Sequence, residues 1–343
     1  MTKAHTRKTL NLALQGGGAH GAFAWGVLDA LLADPRIAIE GISGTSAGAM
    51  NAAVVAYGLA KGGSEGARQA LAEFWQGIAA VARFSPLQPT PLDRWLGHGN
   101  MEFSPGWVAF DAVSRMVSPY QFNPLDMNPL ADVLCSVVDF EWLADRCAHD
   151  VVKLFLCASN VCSGKIKVFQ REEISSRAVL ASACLPFLFK AVEIDGEHYW
   201  DGGYMGNPPI FPLIYGVTCP DVLIVQLNPI ALERVPTTPR EIADRVNTLS
   251  FNSSLMREMR AIAFVTRLLD DGCRELEGYK RLNLHAVEAE RIFRDLGVSS
   301  KLNADRAFLE WLFDLGQARG REWLDAHVDD IGVRTTLDLD RFL

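Results

Sequence analysis

Residues 9–60 read TLNLALQGGGAHGAFAWGVLDALLADPRIAIEGISGTSAGAMNAAVVAYGLA, and this stretch decides the fold class. Leu10–Leu14 is a short, β-prone apolar run that stops at Gln15 and three glycines. Ala19–Leu32 follows, with Phe23, Val27, Leu28 and Leu31 at helical spacing, and ends near Asp34-Pro35. Ile37–Ile42 predicts a second strand, and Ala47–Leu59 a second helix that closes at Lys61-Gly62-Gly63. Parallel strands need a crossover, and a helix supplies it. Strand, helix, strand, helix is therefore the opening of a mainly parallel sheet covered by helices.

The turns between these elements carry chemistry. Gly44-Thr45-Ser46-Ala47-Gly48 fits the G-x-S-x-G nucleophile elbow, a strand-to-helix turn that lifts a serine hydroxyl out of the backbone. Glycine two positions to either side removes side chains that would strike the neighbouring strand and helix. The helix start also favours an alkoxide-like oxygen. Gly16-Gly17-Gly18-Ala19-His20-Gly21 offers unencumbered N–H groups at another helix start, suited to a developing oxyanion. Downstream, Asp201-Gly202-Gly203 supplies a carboxylate as candidate base. A carboxylate of ordinary pKa, ~3.9, accepts a hydroxyl proton poorly, so this role needs a drier site.

Two other readings compete. Gly16-x-Gly18-x-x-Gly21 between strand and helix also fits a nucleotide- or dinucleotide-binding loop, with Glu40 near the spacing of a ribose-binding acid. Such a domain has no need of a G-x-S-x-G directly after that acid, nor of a distant D-G-G. A histidine triad in the order Ser, Asp, His would use His285 or His327, both in charged, helical-looking sequence; His198 precedes Asp201 instead.

The order GGG-x-x-G, GTSAG, DGG resembles the patatin-like phospholipase family over residues 9–230. The resemblance implies a three-layer α/β/α sandwich with a mainly parallel central sheet. It implies hydrolysis of acyl esters in phospholipids and related lipids by a Ser–Asp dyad without histidine. Ser46 would be the nucleophile and Asp201 its base. Gly16, Gly17 and Gly18 would form the oxyanion hole, with Gly21, Gly44, Gly48, Gly202 and Gly203 in support. No metal or organic cofactor is implied, and the partner is a lipid or acyl-ester substrate. One position departs from the family's habit: His20 stands where Arg or Lys is frequent, and an imidazole of pKa ~6.5 is mostly neutral at pH 7.

The 343-residue chain is 49% apolar and 22% charged, with a formal charge of −8, which gives no basic footprint for nucleic acid. Lys3, Arg7 and Lys8 before Leu10–Leu14 imitate a signal peptide, but the apolar run is too short for one. No stretch approaches the ~18 apolar residues of a membrane span. The expectation is a cytoplasmic protein, with peripheral contact to a membrane, lipid droplet or granule left open. Cysteines 135, 147, 157, 162, 184, 219 and 273 lack paired or zinc-like spacing and read as reduced thiols.

Residues 84–128, dense in proline and aromatics, read as a long loop serving as lid or insertion. Leu130–Leu143 predicts a helix, Val151–Val161 a central strand, and Lys165–Phe169 another strand. Ser175–Cys184 predicts a helix, and Ala191–Ile194 with His198–Trp200 a hairpin around Asp195-Gly196. Val222–Leu227 closes the expected catalytic domain, 9–230. Residues 231–343 are expected to be mostly helical, over Arg240–Asp270 and Leu284–Val328, with a β-like tail at Thr335–Leu339. In the first helix Ile242, Val246, Leu249, Met256 and Met259 share a face expected to meet the core or a second copy of the chain.

Overall fold

Period-2 alternation in the strands sorts the apolar side chains onto two faces of one sheet. Leu10, Leu12, Leu14, Leu223, Val225, Leu154 and Leu156 join one core, while Ala13, Val222, Ile224 and Phe155 join the other. Both faces of the sheet are thus covered, which makes three layers. The structure is a computed structural model that describes residues 7–96, 99–144, 151–272 and 279–343. Cys147 and Cys273 lie outside the described residues.

The strands are β1 (Lys8–Leu14), β2 (Ile37–Thr45), β3 (Lys153–Asn160), β4 (Ile166–Phe169), β5 (Val192–Ile194), β6 (Glu197–Asp201), β7 (Asp221–Gln226) and β8 (Asn283–Glu288). The helices are α1 (Gly21–Ala33), α2 (Ala47–Ala82), α3 (Pro91–Leu96), α4 (Pro105–Ser114), α5 (Pro119–Phe122) and α6 (Pro129–Val137). They continue with α7 (Phe140–Ala144), α8 (Ser176–Ser182), α9 (Phe211–Gly216), α10 (Pro239–Asp270), α11 (Glu290–Arg294) and α12 (Arg306–His327). The strand order is β5-β6-β3-β2-β1-β7-β8, with β4 beside β3. From β3 to β8 the neighbours are parallel, and β4, β5 and β6 form the antiparallel end.

One detail of that end positions the site. A strand has two edges, yet β3 has three partners. β2 pairs with it up to Thr45↔Cys157, β4 over Leu156–Ser159, and β6 over Ala158–Asn160. β4 overlaps both of the others, so β2 and β6 must share the opposite edge end to end. Where β2 leaves the sheet after Thr45, β6 takes over, and its last residue, Asp201, pairs with Ala158.

α1 is buried along nearly its whole length because the sheet lies on one side and α12 on the other. The α1–α12 crossing is close: a Cβ on Gly26 would lie 2.0 Å from the Phe313 carbonyl oxygen, and one on Gly316 2.0 Å from that of Phe23. α2 is broken at Gly62 (φ −148°) and Gly63 (φ 63°), where the sequence closes the second helix.

Four expectations are corrected. Residues 284–288, expected to be helical, form the parallel edge strand β8, so the segment after residue 230 completes the sheet. The tail at 335–337 is not a strand; Thr336 and Leu337 donate to the Leu284 carbonyl. Within 84–128, Pro105 and Pro119 start short helices behind the caps Ser104 and Ser118, and Pro129 does the same behind Asn128 just after that stretch. Proline suits that position because the first helical N–H has no partner to lose. The stripe expected on α10 is split as well: Met259 is buried, while Ile242, Val246 and Leu249 are exposed, and the core-facing set is Phe251, Leu255, Met259 and Ile262. Among the described residues no helix is long and apolar enough to cross a membrane.

Candidate active site

β2 ends at Thr45 and α2 begins at Ala47; the residue between them, Ser46, has φ 56° and ψ −123°. Positive φ is strained for a residue with a side chain and persists only where the surroundings enforce it. Here they do. Ser46 N–H donates to Ser182 Oγ at 3.0 Å, and the Ser46 carbonyl accepts from Ala49 and Met50 at 2.9 and 3.1 Å. Thr45 Oγ1 and Ser43 Oγ donate to the Gly206 and Pro209 carbonyls, each at 2.6 Å, anchoring the end of β2. Glycine at 44 and 48 permits the turn: a Cβ on Gly44 would lie 2.6 Å from Gly48 O, and one on Gly48 2.2 Å from Leu14 O.

Asp201 arrives on the neighbouring ladder. Its N–H donates to the Cys184 carbonyl at 2.8 Å, and its own carbonyl accepts from Ser159 Oγ at 2.8 Å. The side chain is fully buried; Oδ1 accepts from Gly203 N–H at 2.7 Å, and Oδ2 has no regular hydrogen-bond partner. Burial pushes the carboxyl pKa up to about 6, against the opposing pull of Gly203 N–H, the adjacent Ser46 hydroxyl and the charge of Lys301. The hydroxyl is close enough to favour the carboxylate, yet no bond of regular geometry closes between them. The structure therefore brings residues 46 and 201 together and leaves one carboxylate oxygen free. Gly202 packs against the Cys157 carbonyl, and Gly203 against the Phe251 ring.

The first glycine loop lies on the same spot, since a Cβ on Gly16 would fall 2.6 Å from Ser46 Cβ. Its three N–H groups are not equivalent. Gly16 N–H donates to Asn207 Oδ1 at 2.6 Å, whereas those of Gly17 and Gly18 donate to no acceptor among the described residues. Gly21 packs against Ala47 Cβ and the Trp75 ring, and its carbonyl accepts from Asn51 Nδ2 at 3.0 Å. Gln15 ties the loop down: Oε1 accepts from Leu227 and Asn228 N–H at 2.8 and 2.9 Å, and Nε2 donates to Asn207 O at 3.1 Å.

The three histidines weighed for a triad, His285, His327 and His198, are not brought to Ser46. His285 lies on β8, three strands from β2, or roughly 14 Å at ~4.8 Å per strand. It is buried between Asp221 Oδ1 (3.1 Å) and Thr336 Oγ1 (2.8 Å). His327 ends α12 against Asp330, and His198 is exposed on β6. Glu40 is unavailable to a ribose at the glycine loop. It sits five residues, or ~16 Å, before the end of β2, where its carboxylate accepts from Thr218, Cys219 and Lys153.

Ser182, Asn207, Gln15, Asn228 and Asn51 shape the site without forming any motif. Only Gln15 carried a signal, as a polar residue between an apolar strand and the glycines.

Comparison with known proteins gives the family. No curated protein matches the chain. Among solved structures, VipD from Legionella pneumophila is similar at TM-score 0.41 and 17% identity, covering 94% of this chain and 67% of that one. The ExoU–SpcU complex from the type III secretion system of Pseudomonas aeruginosa is similar at TM-score 0.32 and 18% identity, covering 73% of this chain and 51% of that one. The family model for patatin-like phospholipases matches residues 12–214, more than half of the sequence and all three motifs. The chain belongs to the patatin-like phospholipase family, and lipid hydrolysis is the function that this membership supports.

Proposed function

We propose that this protein is a serine acyl hydrolase that cleaves fatty-acyl esters of lipids with Ser46 and Asp201. The reading rests above all on one juxtaposition: a serine held at φ 56° beside a buried carboxylate with an unpartnered oxygen. Asp201 accepts the Ser46 proton as Oγ attacks the ester carbonyl. A pKa of about 6 makes it a better base than a solvated aspartate by about two units, yet leaves it ionised at neutral pH. The free N–H groups of Gly17 and Gly18 receive the oxyanion, where each such donor is worth about 2.7–4 kcal/mol. Gly16, held by Asn207, supports the loop. The carboxyl then returns its proton to the leaving alcohol, and water, deprotonated by the same carboxylate, releases the fatty acid from Ser46.

The catalytic unit in this reading extends past residue 230, because β8 pairs with β7 and the 3₁₀ turn Val298–Leu302 packs on Gly18. Phe84, Trp95, Met116 and Leu125, all more than 80% exposed on the 84–128 segment, suit it to contact a lipid surface and serve as a lid. Tyr120 Oη and the Pro124 carbonyl join that segment to residues 190–191, just beyond Cys184.

The test is covalent labelling with a fluorophosphonate, together with a lipid-class hydrolysis panel on the native chain, Ser46→Ala and Asp201→Asn. Both activities should vanish in Ser46→Ala, and hydrolysis should vanish in Asp201→Asn. Saturable NAD or ATP binding without labelling of the native chain would replace the hydrolase reading with a nucleotide-binding one.

A further inference from the structure

The glycine loop lacks the cation its motif frequently carries, and residue 20 does not replace it. His20 is buried, with Nε2 and Ser300 Oγ 2.7 Å apart and its ring 5.1 Å from that of Phe293. Burial, with the nearby charge of Lys301, holds its pKa well below the ordinary value, so the ring is neutral at physiological pH.

A cation reaches the loop from the far end of the sequence. The 3₁₀ turn Val298–Leu302 lies directly on the loop, since a Cβ on Gly18 (φ 58°) would fall 2.2 Å from Lys301 O. Lys301 turns inward. Its Nζ donates to Asn228 Oδ1 at 2.9 Å and stands 5.7 Å from the Phe251 ring, the same ring that packs on Gly203 beside Asp201. Asn228 Nδ2 donates in turn to Gly16 O at 3.0 Å and to Gln15 Oε1 at 3.2 Å.

We propose that Lys301 is a positioning residue of the site: its ammonium holds Asp201 in the charged, basic form and, through Asn228, fixes the glycine loop against Ser46. The inference rests on the Ser46–Asp201 reading above.

The charges around these groups are few. Asp201 faces Lys301, the Ser46 hydroxyl, the Cys157 and Cys184 thiols and the Tyr204 phenol. Burial pushes Cys184 and Tyr204 up to about 12 and Cys157 higher still, so none of these three is charged near neutrality. Lys301 faces Asp201, His20 and Asp244 of α10, and Asp244 is flanked by Arg240 and Glu102. Burial pulls Lys301 down to about 8 while Asp244 and Asp201 oppose the shift. Lys301 and Asp201 are therefore both charged between about pH 6 and about pH 8.

The experiment is the pH profile of kcat/KM for p-nitrophenyl butyrate, measured on the native chain, Lys301→Met, Lys301→Arg and Ser46→Ala. The native profile should be bell-shaped, with limbs near 6 and near 8. Lys301→Met should raise the acid limb by about half to one pH unit, remove the alkaline limb, and lower kcat about tenfold or more with KM little changed. Lys301→Arg should restore the acid limb and extend the plateau to higher pH, because guanidinium stays charged. A Lys301→Met profile with both limbs at native positions refutes the proposal, whatever the loss of activity. Should that variant fail to fold, an alkaline limb still near 8 in Lys301→Arg refutes it equally. Hydrolysis surviving in Ser46→Ala would instead overturn the underlying reading.

Discussion

Asp201→Asn should give a protein that is inactive and yet more stable at neutral pH. The folded-state pKa of Asp201 is raised from 3.8 to about 6 by burial. The folded chain therefore binds a proton more readily than the unfolded one between about pH 4 and pH 6. Stability falls as pH rises through that window, and the full cost of holding the carboxylate charged is present above it. About two pH units correspond to roughly 3 kcal/mol at neutral pH and roughly 1 kcal/mol at pH 4.5. The amide escapes this cost: its oxygen can still accept from Gly203 N–H, and its NH₂ replaces the unpartnered Oδ2 beside the Ser46 hydroxyl. A chain of this length has an unfolding entropy of about 0.7 kcal/mol/K. The melting-point advantage of the variant should thus widen by about 3 °C between pH 4.5 and pH 7.5. Differential scanning calorimetry of both proteins at the two pH values measures it. An advantage that does not change with pH, or a variant that melts lower at pH 7.5, would refute the claim that burial sets the carboxyl's basicity.

Ser182→Ala removes the acceptor of the Ser46 N–H and leaves that group buried and unsatisfied, at a cost of about 1–3 kcal/mol. Steady-state kinetics should show kcat down at least about tenfold with KM unchanged, and an unaltered kcat would mean that the elbow holds its own geometry. Gly48→Ala sets a methyl group against a strand carbonyl, 2.2 Å from Leu14 O, and should lose about 3 kcal/mol or more in urea unfolding. A loss below about 1 kcal/mol would mean that α2 can slide. His285→Ala should lower stability by about 2–4 kcal/mol, because Asp221 keeps only Asn283 and Gly332 as donors to Oδ1. It should leave kcat of the folded protein within about twofold, whereas a triad role demands a loss near 10⁴.

The opening of the fold was readable because its signals are local. An apolar strand, three glycines and a helix of regular spacing lie within 25 residues of one another, and the elbow follows at the next strand end. β8 was not readable in the same way. Leu284, His285 and Val287 are buried by pairing with β7, some sixty residues upstream, while the charged helices around them suggested a helix. Pro105 and Pro119 misled for a physical reason, since proline breaks a helix interior but starts a helix well behind a Ser cap. Asn207 and Ser182 act on residues 191 and 136 positions away, and no local pattern encodes such a bond.

The pairing of β3 explains how two distant motifs meet. β6 can run along the edge of β3 only after β2 has vacated it, and β2 vacates it by turning into α2 at Ser46. The chain break in one ladder and the start of the next are thus the same place, with Thr45↔Cys157 and Ala158↔Asp201 as adjacent rungs. Thr45 and Asp201 are set by sheet pairing, and Ser46 by its bonds to Ser182 and to the first turn of α2, which favours a fixed hydroxyl–carboxylate separation. The same arrangement dries the carboxylate in the resting structure, because a residue at that junction has strands beside it and Phe251 packed on the adjacent Gly203, and its second oxygen is buried. In the proposed mechanism a histidine is dispensable for that reason: the sheet junction itself supplies both the orientation and the raised basicity that a third residue would otherwise provide.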